Sequence, residues 1–399
     1  MVKFMKLVFI SFFYPPDLCA GSFRATALVS SLEKKLADSD ELHIITTIPN
    51  RYGSHQVTAP AKEVQGKVTI HRLNIPPHSG TKSQVRSFIV YFFKTVKLCN
   101  SLKPDFLLNT NGRMMSGLLT SLLSVIYRCE YYIDIRDIFS ETISDIYTEK
   151  NKTLASIFKW LFSGIEKFVL GRAKGVNVVS IAFTEYYENL GIDTKHWDSF
   201  PNGIDKEFLL GDTTSTPESD ICKIVYAGNI GKGQGLEKII PEVAQRLGEK
   251  FQFIIVGDGG TKHLLEKEIS IRKIQNVELK LPVNRNELIE IYQSTSILFL
   301  HLNNIPAFLR VLPSKIFEYT VMQKPIVAGL SGYSAEFLNK EVAHSFVFLP
   351  GDVNKCAALI RHASSKSIDV EQVDEFIYKY SRERIMDGLS DSILKYTVR

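Results

Sequence analysis

Short apolar runs alternate with longer amphipathic stretches along most of the chain. In the first half, the runs predict strands at residues 7–10, 43–46, 68–71, 106–108, 132–135 and 176–179. The stretches between them predict helices at about 22–36 and 83–102, another from Met114, and one that ends at Gly171. Continuous apolar strands separated by helices are typical of parallel sheets covered on both faces, so the pattern predicts a doubly wound α/β domain.

The same alternation starts again after a polar interruption. Residues 200–205 have turn chemistry and residues 211–220 are polar, after which strands are predicted at 224–227, 253–256, 277–279, 297–300 and 325–328. We therefore predict a fold of class α/β with two facing Rossmann-like domains and a cleft between them, residues 1–200 and 201–369. The charged stretch of about 370–399 is predicted to be helical and to pack back on the first domain. Ligands of this architecture bind outside the carboxyl ends of the strands.

Composition places the chain among ordinary globular proteins. Of its 399 residues, 45% are hydrophobic and 23% charged, and no stretch reaches the roughly 20 apolar residues of a membrane-spanning helix. The apolar run near the N-terminus lacks a small-residue cleavage site, so it is interpreted as a buried strand and not as a signal peptide. The five cysteines form no Cys-x-x-Cys pair, which disfavours a disulfide framework or cysteine zinc site and favours a cytoplasmic location.

The positive charge is concentrated in the first half of the chain. Between Arg51 and Arg128 there are 11 basic residues, and the only acids are Glu63 and Asp105. This asymmetry favours an anionic partner for the first domain, such as a membrane surface, a phosphorylated acceptor or a nucleic acid. A solvated basic face without a partner is the alternative.

Glycine-rich turns follow two strands of the second half. The first carries Gly228, Asn229 and Lys232 ahead of a predicted helix, where exposed N–H groups favour anions. Its spacing matches neither the dinucleotide-binding fingerprint nor a P-loop, so a plain strand–helix turn remains an alternative. The second turn contains Asp258, which could cap the next helix and is also a candidate donor-binding residue.

A third motif combines phosphate-binding and hydroxyl-binding side chains on one helix. Pro313 begins the predicted helix, and Ser314 and Lys315 at its start could bind a phosphate. Glu318 lies four residues after Ser314 on the same face, where its carboxylate could accept hydrogen bonds from sugar hydroxyls. A surface capping arrangement is the alternative.

Two further groups lie in the first half. Gly21, Ser22 and Arg24 open the first predicted helix, where they could bind a phosphate or an acceptor, or form an ordinary turn. Asp137 follows a strand together with Asp134, Arg136 and Glu141. We favour Asp137 as a base or as a group that orients an acceptor hydroxyl; pairing with Arg136 is the alternative.

Together, these motifs resemble those of GT-B-fold glycosyltransferases of family 4, and among them bacterial O-antigen or capsule L-fucosamine (FucNAc) transferases. The resemblance spans nearly the whole chain and rests on the segments at residues 13–16, 21–24, 136–137, 201–205, 228–237, 256–259 and 313–319. It implies a retaining enzyme that moves a sugar, for instance N-acetyl-L-fucosamine, from a UDP-sugar to a polyprenyl-diphosphate-linked saccharide. It also implies donor binding in the second domain and acceptor binding in the first.

The resemblance assigns roles to individual residues. Glu318 would hold the ribose, Val283 would present backbone groups to the base, and Ser314, Lys315 and the turn at residues 228–229 would meet the diphosphate. Many relatives carry an Arg and a Lys in the glycine loop, where this chain has Asn229 and Gln234, so Lys232 or Lys315 must supply the charge. Many also carry a Glu at the position of Arg310, which here is predicted to contact the pyrophosphate. Lys315, Arg310 and Asp137 are thus the predicted catalytic residues, and neither a metal nor another cofactor is expected.

Other functions share parts of this pattern. A non-hydrolysing UDP-sugar epimerase has two similar domains but needs acid and base side chains grouped at the donor sugar. A periplasmic binding protein is disfavoured by the free cysteines, and a nucleic-acid binder by the absence of a matching motif.

Two predicted helical stretches favour contact with a membrane surface. Residues 83–103 and 158–174 each mix aromatic and aliphatic side chains with flanking Lys and Arg, as in helices that lie in a bilayer interface. They could instead be core helices that cover the sheet. The prediction is a cytoplasmic protein, peripheral on the inner face of the cytoplasmic membrane.

Overall fold

The computed structural model describes residues 4–17, 19–49, 58–76, 81–111, 114–138, 140, 152–209, 220–365 and 370–397. The chain divides into two compact units. The N-terminal unit comprises Met1–Asn202 and Glu383–Arg399, and the C-terminal unit comprises Gly203–Arg382. Most of the polar stretch predicted to separate them lies outside the described residues.

The N-terminal unit is built on an eight-stranded sheet with the order β3-β4-β2-β1-β5-β6-β7-β8. The strands are β1 Lys6–Ile10, β2 Glu41–Thr47, β3 Lys62–Gln65, β4 Val68–Leu73, β5 Phe106–Asn111, β6 Glu130–Ile135, β7 Gly175–Val178 and β8 Asp198–Ser199. The helices are α1 Ala20–Lys35, α2 Thr81–Leu102, α3 Met114–Tyr127, α4 Lys152–Leu170 and α5 Phe183–Asn189. Only β3 is antiparallel to its neighbour among the described strands.

The C-terminal unit contains a six-stranded parallel sheet with the order β11-β10-β9-β12-β13-β14. Its strands are β9 Cys222–Asn229, β10 Phe251–Asp258, β11 Val277–Lys280, β12 Ile297–His301, β13 Ile326–Gly329 and β14 Ser345–Phe348. Its helices are α6 Leu236–Leu247, α7 Lys262–Ile271, α8 Arg285–Gln293, α9 Lys315–Val321, α10 Tyr333–Glu341, α11 Val353–Ala363 and α12 Val370–Tyr380.

Each sheet has one point at which the strand order reverses. In the N-terminal sheet, β1 lies between β2 on one side and β5 on the other. In the C-terminal sheet, β9 lies in the same way between β10 and β12. Because the crossover connections are right-handed, helices on either side of this point leave from opposite faces and open a crevice at the carboxyl ends of the strands. The site within each unit is therefore expected after β1 and β5, and after β9 and β12.

The central strands follow the predicted apolar runs closely. Leu7, Val8, Phe9 and Ile10 have no exposed surface, and Ile224 and Val225 are equally buried. The edge strands β3 and β14 and the two-residue β8 were not predicted. β3 is mostly exposed and polar, so it carries no continuous apolar run. β14 is only partly buried, and its short apolar run at residues 346–348 was not assigned to a strand.

The predicted C-terminal helical stretch is two helices with different locations. The last helix, α13 Arg382–Lys395, belongs to the N-terminal unit from Glu383 onward, and α12 belongs to the C-terminal unit. Phe376 and Tyr380 of α12 lie with ring centroids 6.0 and 5.5 Å from Phe317. The predicted return to the first domain is therefore correct from Glu383 onward and was wrong for α12, which these aromatic contacts hold on the C-terminal unit.

None of the described helices is both long and apolar enough to cross a membrane.

Candidate functional site

In the C-terminal unit, the side chain of Lys315 crosses the backbone at the carboxyl end of β9. Gly228 adopts a φ of 145°, and a Cβ at this position would lie 2.2 Å from the Lys315 Nζ. Only glycine leaves room for this close approach. Gly228, at the carboxyl end of β9, and the first residue of α9 therefore lie together at the point where the strand order reverses.

Buried tyrosines fix α9 against the end of β9. The Tyr319 hydroxyl accepts a hydrogen bond from the Ala227 N–H at 3.2 Å, and the Tyr226 hydroxyl donates to the Asn229 carbonyl at 2.7 Å. Both side chains are almost fully buried, and the Lys315 Nζ lies 5.8 Å from the centroid of the Tyr226 ring. Lys315 and Glu318 are thus held on a helix whose position is set by the sheet.

Lys315 and Glu318 are half-buried and influence each other's ionisation. Burial lowers the pKa of Lys315, and the Glu318 carboxylate opposes this. Burial raises the pKa of Glu318, and the charges of Lys315 and Arg285 oppose the rise. A cation and a hydrogen-bond acceptor therefore lie together in a partly dehydrated site, where electrostatic interactions with a ligand are stronger than in water.

Asn229 and Gln234, the two uncharged residues of the glycine loop at positions where an Arg and a Lys were expected, are hydrogen-bonded to each other. The Asn229 side-chain amide donates to the Gln234 Oε1 at 2.9 Å, and the Gly231 N–H donates to the same oxygen at 3.3 Å. In this chain a neutral amide pair therefore shapes the loop. Lys232 is exposed on the same loop, and its carbonyl accepts a hydrogen bond from Asn303 at 2.5 Å.

His301, at the end of β12, supports this loop from within the unit. Its Nδ1 lies 2.6 Å from the Gln234 carbonyl oxygen, and its Nε2 accepts the Gly351 N–H at 3.2 Å. A carbonyl oxygen can only accept, so the proton is on Nδ1 and the imidazole is neutral. Burial lowers the pKa of His301, which agrees with this tautomer. A lone histidine at the end of a strand carries no motif, so the sequence did not indicate a role for His301.

The remaining predicted donor residues lie on neighbouring segments of the same unit. Asp258 ends β10 and is paired in register with Asn229, but its side chain accepts the Gly259 N–H at 2.8 Å. The N-cap of α7 is Thr261, so the prediction that Asp258 caps this helix was wrong. Val283 is half-buried between β11 and α8.

The start of α9 carries the other two predicted phosphate contacts. Ser314 is the N-cap residue of α9, and its side chain makes no capping hydrogen bond. Arg310 is half-buried on the segment that leads into α9, five residues before Lys315. Their contacts with a donor stay predictions.

A cluster of charges that sequence analysis missed lies beside Glu318. Asp205 forms ion pairs with Arg285 and Arg382, and the Arg285 guanidinium lies 4.9 Å from the centroid of the Phe208 ring. All three charges influence the pKa of Glu318. Asp205 is 80 positions from Arg285 and still farther along the chain from Arg382, so no local pattern could indicate the cluster.

In the N-terminal unit, Arg136 lies over the start of α1. A small cavity at the carboxyl ends of β1 and β5 is lined by Ser11, Phe12, Phe13, Gly21, Thr110, Ser116 and Arg136. A Cβ on Gly21 would lie 2.3 Å from the Arg136 Nη1, so the absence of a side chain lets the guanidinium approach the helix start. Gly21 and Arg136 therefore lie together in the predicted acceptor region.

Arg24 has a different role from the one predicted. Its side chain has no exposed surface, and its Nε and Nη2 donate to the two carboxylate oxygens of Asp134 at 2.8 and 2.9 Å. The same guanidinium donates to the carbonyls of Phe200 and Pro201 at 2.9 and 2.6 Å. The prediction that Arg24 binds an acceptor or phosphate was wrong. The guanidinium is buried, and it links β6 to the backbone of residues 200–201, just after β8.

Asp134 is held ionised in this arrangement. Burial by itself would raise its pKa, but the Arg24 guanidinium and a hydrogen bond of 2.6 Å from Asn177 hold the pKa below the usual range. Thr110 donates to the same carboxylate at 3.0 Å. Of the carboxylates predicted after β6, Asp134 is thus structural, Asp137 is exposed, and Glu141 lies outside the described residues.

Ser22 was predicted to bind with Gly21 and Arg24, but its side chain is also fully buried. Its hydroxyl has no hydrogen-bond partner among the described residues. Of these three residues, only Gly21 lines the cavity.

Within the described part of the chain, no group of three or more His, Cys, Asp and Glu side chains is arranged to hold a metal ion. The expectation that the protein works without a metal stays a prediction.

The chain is similar to known proteins both in part and over its whole length. Residues 215–382 match the family model of glycosyl transferases group 1. The chain is also 25% identical over 295 residues to an Escherichia coli (strain K12) protein named as a colanic acid biosynthesis glycosyl transferase, WcaI. This match covers 69% of the present chain and 71% of WcaI.

Solved structures match nearly the full length of the chain. Sucrose-phosphate synthase from Thermosynechococcus elongatus has a TM-score of 0.75 at 12% identity, and the match covers 98% of this chain and 99% of that one. Anabaena HepE, solved in complex with UDP-glucose, has a TM-score of 0.68 at 14% identity, with 98% and 100% coverage. At this level of identity the similarity concerns the fold, and it confirms the predicted GT-B fold.

Proposed function

We propose that this chain, a glycosyltransferase of the GT-B fold whose residues 215–382 belong to the glycosyl transferases group 1 family, transfers a sugar from a UDP-sugar to a lipid-linked saccharide. The observation that carries the proposal is the pairing of Lys315 and Glu318 on α9, directly beside the Gly228 turn. A diphosphate requires positive charge and a ribose requires an acceptor for its hydroxyl groups, and side chains three residues apart on a helix are neighbours. The UDP-glucose complex of HepE supports a nucleotide-sugar donor.

The donor is proposed to bind within the C-terminal unit. Lys315, Ser314, Lys232 and the Gly228–Asn229 turn would surround the diphosphate, with Arg310 adding positive charge. Glu318 would accept hydrogen bonds from the ribose hydroxyls, and the backbone near Val283 would read the base, with Asp258 close to the glycine loop. N-acetyl-L-fucosamine is the first donor sugar to test, on the basis of the sequence resemblance.

The proposed reaction retains the configuration at the anomeric carbon. The bond from that carbon to the leaving phosphate oxygen breaks, and a bond to the acceptor oxygen forms on the same face. The acceptor proton passes to the leaving phosphate oxygen, so no protein nucleophile is needed. The contribution of this chain is to stabilise the negative charge that grows on the phosphate, through Lys315 and Arg310.

The acceptor is proposed to bind in the N-terminal unit near Gly21 and Arg136. Asp137 is exposed after β6, where it could orient the acceptor hydroxyl. The name of WcaI supports a role in surface polysaccharide synthesis, such as O-antigen or capsule. The proposed acceptor is a saccharide on a polyprenyl diphosphate.

The direct test is UDP release by the purified protein. Membrane extract is supplied as the acceptor source together with a panel of UDP-sugars that includes UDP-N-acetyl-L-fucosamine, and the lipid fraction is analysed for the added sugar. Release of UDP with sugar transfer to lipid supports the proposal. Conversion of the UDP-sugar into its epimer without transfer would indicate the epimerase activity instead.

Glu318→Ala is expected to weaken UDP binding by about 10- to 150-fold. The reason is that a hydrogen bond to a charged group contributes about 1.5–3 kcal/mol, and the variant removes the carboxylate acceptor. Isothermal titration calorimetry with UDP measures the effect. Glu336→Ala, on the exposed surface of α10, is the matched control. Equal UDP affinity of wild-type and Glu318→Ala would contradict the ribose assignment.

UDP affinity is also expected to depend on pH on both sides of neutrality. Glu318 accepts hydrogen bonds most strongly when ionised, and its pKa is raised, so as the pH decreases the affinity should start to fall at a pH above the ordinary range of glutamate. Lys315 attracts phosphate only when protonated, and its pKa is lowered, so affinity should fall at a pH below the ordinary range of lysine. Calorimetry across pH measures both limbs. Glu318→Gln should remove the acid limb only; an unchanged acid limb in this variant would show that another group titrates.

A further inference from the structure

Three neighbouring helices of the N-terminal unit lie on the same face of its sheet. The connections from β4 to β5, from β5 to β6 and from β6 to β7 all step in the same direction across the sheet. Right-handed crossovers therefore place α2, α3 and α4 on one face. α3 packs between α2 and α4, so the three outer surfaces are continuous.

These outer surfaces expose a large number of apolar side chains. We call them together the apolar-basic face; its exposed apolar residues are Val85, Ile89 and Phe93 of α2, Val125 and Ile126 of α3, and Ile157, Trp160, Leu161 and Phe168 of α4. On α2 they recur every four residues, so they form a stripe that points away from the core. Trp160 is 78% exposed and Phe93 is 66% exposed. Contiguous apolar exposure of this extent marks an interaction surface.

A groove extends the apolar-basic face inward beside Trp160. It has a volume of about 700 Å³ and is lined by Leu118, Leu161 and Phe168 together with Lys159 and Lys167. The groove thus offers apolar walls with lysine side chains among them.

The charge on this face has one sign. Exposed basic side chains are Arg86, Lys94 and Lys97 on α2, and Lys159 and Lys167 on α4. The sequences of α2 and α3 contain no Asp or Glu, and the only acid of α4 is Glu166. Glu166 is 4% exposed and accepts a hydrogen bond from Ser140 at 2.5 Å, so no acid of these helices offsets the positive surface.

We propose that the apolar-basic face docks on a bilayer that contains anionic lipids, with Trp160 inserted at the level of the headgroups. Aromatic and aliphatic side chains would enter the boundary between headgroups and acyl chains, and the lysines would meet anionic headgroups. The proposal rests on the proposed function in one respect, since a lipid-linked acceptor is reached from such a surface.

The charge distribution favours a bilayer over a second copy of this chain. A two-fold contact brings the same surface of both copies together, so the basic residues of one copy would face those of the other. Like charges at such a contact are repulsive, whereas an anionic bilayer neutralises them.

Tryptophan fluorescence provides a direct test, because the chain has only two tryptophans. Trp197→Phe leaves Trp160 as the sole tryptophan, and Trp160→Phe leaves Trp197, whose ring packs 5.2 Å from that of Tyr187. Each full-length variant is mixed with phosphatidylglycerol–phosphatidylcholine vesicles whose acyl chains are brominated. Bromine quenches only tryptophan that reaches the bilayer. We expect strong quenching of Trp160, little quenching of Trp197, and little of either with pure phosphatidylcholine at high salt.

Charge variants test the electrostatic part of the proposal. Each Lys or Arg near an anionic leaflet contributes about 1 kcal/mol, which is about fivefold in binding. Lys159→Gln with Lys167→Gln should therefore lower the partition coefficient on anionic vesicles by about 25-fold, measured by co-sedimentation. The matched control, Lys267→Gln with Lys340→Gln, changes two exposed lysines of the C-terminal unit and should leave it unchanged.

The possible outcomes separate this inference from the proposed function. Unquenched Trp160, or equal loss of binding in both double variants, would overturn the docking surface. Dimerisation that requires Trp160, without vesicle binding, would also overturn it and assign the face to a second copy. UDP binding is measured on the same variants. Vesicle binding without UDP binding would contradict the proposed function alone, and UDP binding without vesicle binding would contradict this inference alone.

Discussion

Lys315→Met is expected to lower the rate of sugar transfer by about 100- to 1,000-fold while UDP binding is weakened less. The physical reason is that negative charge grows on the leaving phosphate in the transition state. A single preorganised donor to such charge contributes about 2.7–4 kcal/mol. Gly228 leaves space for the Lys315 ammonium directly beside the end of β9, and buried tyrosines hold the helix that carries it. Methionine is also an unbranched side chain, slightly shorter than lysine, and it removes the charge.

The measurement is kcat from UDP release at saturating donor. Lys340→Met, on the exposed surface of α10, is the control for a lost lysine outside the site. Arg310→Ala tests the second predicted cation and should also lower kcat without a loss of thermal stability. Wild-type turnover in both Lys315→Met and Arg310→Ala would show that the diphosphate binds elsewhere.

Arg24→Met is expected to destabilise the N-terminal unit by about 3–5 kcal/mol. The variant leaves Asp134 as a buried carboxylate without its partner, and breaking a buried ion pair in this way is far more costly than losing an exposed one. The carbonyls of Phe200 and Pro201 lose their donor at the same time. Urea unfolding monitored by circular dichroism measures the change. Arg136→Met removes a half-buried guanidinium from the same region and is the matched control.

The double variant Arg24→Met with Asp134→Leu separates the ion pair from simple packing. Removing both charges should recover much of the lost stability, because no unpaired charge is left in the core. If the double variant is as unstable as Arg24→Met alone, the contribution of Arg24 comes from its hydrogen bonds to the backbone carbonyls.

The sign of the pH dependence follows from the depressed pKa of Asp134. The folded protein holds this carboxylate ionised to a lower pH than the unfolded chain does. Its contribution to stability is therefore complete above the ordinary pKa of aspartate and is lost as the pH falls towards the folded value. Asp134→Asn should flatten the stability profile in this acid range.

The apolar pattern was sufficient for the general fold. Parallel strands that are buried on both faces are mostly apolar, so β1, β6, β9 and β12 could be predicted from the chain alone, and the alternating helices indicated the doubly wound class. The exposed and polar β3 carries no apolar run and could not be predicted in this way, whereas β14 carries a short apolar run that was not assigned to a strand.

Part of the candidate donor site could also be predicted from local motifs. Glycine at 228 and Lys315 with Glu318 on one helix are short-range signals, each with a physical reason visible in the sequence. That Lys315 lies over Gly228 follows from packing between β9 and α9, which are more than 80 residues apart.

The sequence by itself determined the helices and strands that have a local periodicity, and the turns that need glycine. Only the tertiary structure decided the partners of the charged groups. Arg24 lies at a helix start that suits anion binding. Its partner, however, is the carboxylate of Asp134, 110 positions away, which accepts hydrogen bonds from the guanidinium within the core. Likewise, α12 has the same helical pattern as α13 but belongs to the other unit, since its aromatic side chains pack on Phe317. Burial and long-range pairing set the role of a charge, and neither is encoded in the residues next to it.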